Sequence, residues 1–221
     1  TVKMLPEGTS SRSSLQIADE MEFLGGDLGF ETGREVALLA TSTLKANWES
    51  ALDIISDIVL NPIFPDEEFN RLREERLTDL RRVGDSAISI ASRVSRALLY
   101  GPDTRYGHPT AGTEASIQSM SIESLKNHFS TNYGPDKTTL IVVGDVTETE
   151  IIDKANSYFG SWIVGDAQLN NRDNTVEDQT NKTTIFLADK PGAAQSVIRA
   201  GHLTVGRSHS DYFALTLMNY V

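Results

Sequence analysis

Metal binding, acid–base catalysis and nucleophilic attack each need certain side chains at certain spacings, and this 221-residue chain offers few such sets. Its four histidines are His108, His128, His202 and His209. His202 and His209 flank Gly206 at a spacing that neither a helix nor a strand turns into a ligand pair, so both are expected as surface residues. His108 stands in a Gly107-His108-Pro109 loop, where it could touch a ligand. His128 lies on a segment of helical periodicity with an apolar far side, which predicts a partly buried filler. The densest acidic stretch comprises Asp66, Glu67 and Glu68, followed by Glu74 and Glu75. Paired carboxylates can act as acid and base. Here they open a helix and alternate with Arg71, Arg73 and Arg76, which predicts dipole complement and i,i+4 ion pairs on a solvated face. There is no cysteine, which removes disulfides, thiolate metal sites and Cys nucleophiles together and fits either a reducing or an oxidising compartment.

Composition bounds what must position these residues. With 39% hydrophobic and 23% charged residues, the chain is long enough to bury a core and reads as one domain plus part of another. Its formal net charge of -11, with bases interleaved among acids, argues against a phosphate-backbone partner. No apolar run approaches the ~20 residues of a membrane helix, and no basic-then-apolar leader is visible.

Along the chain, Thr1 to Leu5 reads as the tail of an amphipathic helix. Ser13-Ser14-Leu15-Gln16 has the form of a capping box, opening a helix that Gly25-Gly26 end. Asp27–Gly33 and Glu35–Leu44 read as neighbouring strands. Asn47 is expected to cap a helix running to Asn61-Pro62. A long helix follows from Pro65, with Phe69, Leu72, Arg76, Leu80 and Val83 along one stripe. Another ends at Gly101-Pro102. Residues 102–120 read as loop and Ser121–Tyr133 as helix. Thr138–Gly144 (TTLIVVG) is the most strand-like run, and a helix from Thr147 stops at Gly160. Polar, Asn- and Asp-rich residues 164–182 read as a linker. Beyond it, strands are expected at Thr183–Leu187 and Gln195–Ala200, then a helix over 211–221.

Six stretches occur in order: EGTSSRS, IADEMEFLGG, VLNPIFPDEEFNRLREE, YGHPTAGTEASI, NYGPDKTTLIVVGDV and KPGAAQSVIRAGH. Together they resemble the insulinase and pitrilysin family of zinc peptidases, most of all the bacterial relatives of mitochondrial processing peptidase. The resemblance implies an α+β fold, with a mixed, mainly antiparallel sheet covered by helices. It divides the chain into a first module over 1–163 that lacks its opening strands, a linker over 164–182, and the start of a second, homologous module over 183–221. Residues 183–221 would then fill the vacant positions of 1–163, within one molecule or by self-association between two. It also makes His108 a structural part of the family's loop.

Active members carry an inverted H-x-x-E-H helix just before the Gly-Thr pair, with two His as zinc ligands and a Glu as general base. The register set by Gly8-Thr9 puts Lys3 at the second His and Val2 at the Glu, with the first His falling before Thr1. Asp79 stands where a Glu supplies the third ligand. A protonated ammonium cannot ligate zinc, and an isopropyl group cannot take a proton from water. The resemblance therefore implies a non-catalytic module that holds no cofactor. It would wall a substrate chamber for short polypeptides and pair with an active, zinc-bearing partner, fused or separate. The alternative is a purely structural subunit, like the core proteins of respiratory cytochrome complexes. In active relatives the strand after the double Gly accepts substrate as an added β-strand. Leu28, Gly29, Phe30, Glu31 and Thr32 occupy that position, with the family's Asn-Ala-Tyr/Phe-Thr pattern replaced by Gly29-Phe30-Glu31-Thr32. The resemblance points to the periplasm or cell envelope, with the cytoplasm as the alternative.

Overall fold

The computed structural model describes residues 1–163 and 183–220, so the expected linker at 164–182 lies outside the described residues. These divide into two compact units, one of residues 1–80 and 110–163, the other of residues 81–109 and 183–220. The fold is α+β, about half helical, with one small antiparallel sheet.

The first unit begins with a 3-10 helix, Val2–Glu7, in place of the expected α-helical tail. Helix α1 (Ser14–Phe23) starts at the capping box: the Ser13 hydroxyl accepts from the Gln16 N–H, and the Gln16 side chain accepts from the Ser13 N–H. It ends in a Schellman turn. Gly25 N–H donates to Glu22 O at 2.9 Å and Gly26 N–H to Met21 O at 3.0 Å, with Gly25 at φ 65°. That turn feeds β1 (Asp27–Thr32), which pairs with β2 (Ala37–Ser42) from Asp27 opposite Ser42 to Thr32 opposite Ala37. Helix α2 (Trp48–Leu60) begins at Asn47, but the expected side-chain cap is not made. The Asn47 amide instead donates to Leu24 O at 2.9 Å, tying α2 to the end of α1, because that carbonyl has no helical donor left.

Phe64, in the turn before helix α3 (Asp66–Asp85), has φ 52° and buries its ring edge-on against Phe129 at 5.6 Å. On α3 the buried stripe is Phe69, Leu77 and Leu80, so Leu77 takes an inward place that the sequence pattern assigned to Arg76. The acids opening α3 behave as expected: Arg71 pairs with Glu68 at 2.6 Å and Glu75 at 3.6 Å, and also reaches Glu7 at 2.8 Å. Residues 114–118, expected as loop, form a short helix α5 (Glu114–Gln118) behind a Thr113/Ser116 capping box. Helices α6 (Ile122–Asn132) and α7 (Glu148–Phe159) follow their Ser121 and Thr147 caps. One buried cluster joins Val2, Met4 and Leu5 of the 3-10 helix to Ile17, Met21, Ile54, Ile58, Phe64, Phe69 and Leu125.

The second unit contains helix α4 (Ala87–Tyr100), opened by Ser86 accepting from Ser89 N–H, and helix α8 (Tyr212–Met218). Gly107 is packed so closely that a Cβ there would lie 1.7 Å from the Gly101 carbonyl oxygen. No apolar side chain is fully buried among this unit's described residues.

Three expected strands are absent. Residues 138–144, 183–187 and 195–200 carry no strand hydrogen bonding, and Val143, Ile185, Leu187 and Ile198 are each more than 75% exposed. A β-prone run becomes a strand only where a neighbour takes its main-chain hydrogen bonds in a ladder, and no such ladder forms at these runs among the described residues.

Candidate functional site

The positions matching the zinc motif do not come together as a metal centre. Val2 is only 6% exposed and packs into the core cluster, so its side chain is a structural part of the interior. Lys3 is exposed on the same 3-10 helix, and Asp79 is half-buried on α3. Among the described residues no three His, Asp or Glu side chains gather as a metal-binding group. Catalytic zinc takes three neutral or anionic protein ligands, and a buried isopropyl and an ammonium do not fit that ion.

The histidines are also dispersed. His128, expected as a partly buried filler, is exposed, because Leu125 takes the inward position on α6. Its Nδ1 lies 3.1 Å from the Asn132 amide and its ring meets Tyr133 edge-on, and although the residue is exposed, partial desolvation of the ring, followed by the positive N-terminus, lowers its pKa. His202 and His209 are at the surface, as expected, with His202 Nδ1 2.7 Å from the Leu203 carbonyl and His209 Nδ1 accepting from Asp211 N–H.

The densest polar constellation was not read from the sequence. It centres on Arg12, in the loop between the 3-10 helix and α1. Its Nη1 donates to Asp57 at 2.8 Å, its Nη2 to Asp53 at 2.6 Å and its Nε to Glu20 at 2.9 Å. Asp57 also accepts from Thr9 Oγ1 and Ser11 Oγ, each at 2.6 Å, and from Asn61 Nδ2 at 3.0 Å. Burial raises the Asp57 pKa, but the hydrogen bonds from Ser11, Thr9, Asn61 and Arg12 outweigh it and bring it down to about 2. Burial lowers the Arg12 pKa, and its three carboxylate partners raise it further than that. Three of these bonds fall on Oδ2 and one on Oδ1, and together they hold the carboxylate in its ionised form, so this cluster is a lock rather than a base. The pattern that points to it is Asp53 and Asp57, one turn apart on α2, facing a Thr/Ser/Arg-rich loop.

The edge of β1 is open. Leu28 and Phe30 pack against the core while Gly29, Glu31 and Thr32 are exposed. The inner side of β1 pairs with β2, and no further strand among the described residues lies on its outer side.

Known proteins can be set beside this geometry. The family described as "Insulinase (Peptidase family M16)" matches residues 2–100, and that described as "Peptidase M16 inactive domain" matches residues 119–221. An uncharacterized zinc protease of Mycobacterium leprae is 26% identical over 98% of this chain and 48% of its own length. A probable mitochondrial-processing peptidase subunit beta of Arabidopsis thaliana is 26% identical over 71% of this chain and 29% of its own. Among solved structures, a peptidase M16 inactive domain from Pseudomonas fluorescens aligns with a TM-score of 0.70 at 24% identity, covering 75% of this chain and 40% of that one. The periplasmic protease PqqL from Escherichia coli aligns at 0.70 and 19% identity, covering 80% and 20%. The fold is shared with these structures, and the chain belongs to the M16 insulinase family of metallopeptidase-like proteins. It spans about half the length of the mycobacterial relative. No helix among the described residues is long and apolar enough to cross a membrane.

Proposed function

We propose that this chain is a non-catalytic module of an insulinase-type metallopeptidase. It forms part of a substrate-chamber wall and pairs with an active half that carries the zinc. The observation that carries this reading is the fate of the motif positions: Val2 is built into the core where the general base belongs, and Lys3 brings a positive charge where an imidazole belongs. The free edge of β1 supports a role in holding extended polypeptide against the partner's zinc. The match to an inactive-domain family and the likeness to subunits of processing peptidase support pairing with an active module. The periplasmic neighbour supports the periplasm as compartment.

The test is calorimetric zinc titration and a peptidase assay with the chain alone and mixed with an active family member. The expected result is no stoichiometric zinc binding and no cleavage by the chain alone, with altered turnover or peptide affinity in the mixture. Chelator-sensitive proteolysis by the purified chain would overturn the non-catalytic reading. A mixture that behaves as the active member alone would favour the purely structural alternative.

A further inference from the structure

Two elements carry the lost motif positions, the Val2–Glu7 helix with Val2 and Lys3 and α3 with Asp79, and one guanidinium joins them. Arg71 of α3 donates through Nη2 to Glu7 Oε2 at 2.8 Å and through Nε to Glu68 Oε2 at 2.6 Å. Nε and Nη2 form the edge by which an arginine ordinarily grips both oxygens of one carboxylate through two parallel hydrogen bonds. Here that edge holds one oxygen from each of two carboxyl groups, so the two oxygens adjoin, and Glu7 and Glu68 hydrogen-bond to each other. An ionised carboxylate only accepts, so this bond requires a proton on one of the pair. The place is partly closed to water: the Glu7 side chain is 15% exposed and that of Glu68 23%. Also facing the pair are Glu75 of α3, 3.6 Å from Arg71 Nη1, and the Ser14 hydroxyl of α1, which hydrogen-bonds Glu68. The turn before α3 brings the apolar side chains of Ile63 and Pro65 beside Gly8.

We propose that Glu7 and Glu68 share one proton and act as a pH-operated clasp, closed in mild acid, that fastens the Val2–Glu7 helix to α3. Burial raises the Glu7 pKa against the hydrogen bond from Arg71, and the neighbouring Glu68 raises it further. For Glu68 the hydrogen bond from Arg71 leads, and it lowers the pKa together with the bonds from Glu7 and Ser14. The two carboxyls therefore depart from the common value of 4.5 in opposite directions, Glu7 upward and Glu68 downward. Between the two values the pair carries one proton, with Glu7 donating to the Glu68 carboxylate. The contribution of Glu7 to stability is present below 4.5 and is lost as pH rises through its raised pKa. That of Glu68 is present above 4.5 and is lost as pH falls through its lowered one. Above the window between them, the carboxylates of Glu7, Glu68 and Glu75 crowd one guanidinium, and the first two repel. The stretch that bears Val2 and Lys3 then loosens from α3.

The experiment is a carboxyl carbon-13 NMR titration of the full chain from about pH 3 to about pH 8, with hydrogen exchange of the Met4, Leu5 and Glu7 amides read alongside. The expected result is two steps more than about one pH unit apart, that of Glu7 the higher. Exchange of the three amides, corrected for intrinsic rates, should speed up at least about threefold between about pH 5 and 7. Glu7→Gln keeps a donor facing Glu68 at every pH, so its exchange at Met4 and Leu5 should stay slow and flat across that range. Glu68→Gln leaves Glu7 and Arg71 in place and removes the shared proton, so the Glu7 step should move down, with circular dichroism checking that both variants fold. A single step near 4.5 for both groups overturns the proposal, as does a Glu7 step that Glu68→Gln leaves unmoved. Exchange that speeds up equally in Glu7→Gln and the parent overturns it too.

Discussion

The first unit encloses a buried apolar cluster and a four-donor carboxylate lock, whereas the second buries no apolar side chain among its described residues and exposes Ile185, Leu187 and Ile198 almost completely. Both contain helices begun by a side-chain cap, since Ser13 opens α1 and Ser86 opens α4. Local signals therefore work equally well in both. What separates them is contact between residues distant in sequence: Arg12 meets Asp53 and Asp57 across more than forty positions, and Val2, Met4 and Leu5 share one buried cluster with Phe64 and Leu125. Helical order follows from neighbours in the chain, while stability follows from partners far along it.

Mutations can break this contrast, beginning with the lock. Asp57→Ala would leave Arg12 half-buried with one acceptor gone and three other donors unmet, at a cost of about 3–5 kcal/mol. The corresponding change in the second unit, Arg199→Ala, removes one exposed hydrogen bond to Ser92 and should cost less than about 0.5 kcal/mol. Urea denaturation of both variants measures the difference. Acid should act on the same lock, more gently. The folded Asp57 pKa of about 2 lies below the ordinary 3.8, so its contribution is present above pH 4 and is lost as pH falls through 2. That difference is worth about 2 kcal/mol. Stability measured from pH 6 to 2 should fall by that amount in the parent and be flat in this respect in Asp57→Asn. The smallest effect sharpens the comparison of cores. Ile58→Val, at a fully buried position, should cost about 1 kcal/mol, and Ile198→Val, at an exposed one, should fall within about 0.5 kcal/mol of zero. Equal losses at the two isoleucines would mean that the second unit has a core after all.

Much of the architecture was legible because its causes are short-range. The S-x-x-Q box at Ser13, the double glycine after Leu24, the Asn61-Pro62 stop and the Ser121 and Thr147 caps each act within a few residues, and each stands where the pattern puts it. The Thr113/Ser116 box is of the same kind, yet the Gly and Pro around it hid the short α5. The strands were misread where pairing decides. TTLIVVG has every intrinsic feature of a strand, but a strand is a relation between two segments, and composition reports on only one. Asn47 stands at the start of α2 as expected, but its cap bond fails for a similar reason: its amide is drawn to the Leu24 carbonyl, which the chain brings close only on folding. The family resemblance located Val2 and Lys3, and only the packed structure shows that Val2 belongs to the interior. The Arg12 cluster remained hidden because nothing near residue 12 announces partners on α2.

The open side of β1 has a consequence for the company this protein keeps. Asp27 and Glu31 stand on that strand, five residues apart counting both. When two copies of the edge meet, in parallel or antiparallel, these like charges fall within about a screening length of one another and repel. An extended basic or neutral peptide meets no such barrier. The same strand therefore discourages the lateral stacking that leads to amyloid.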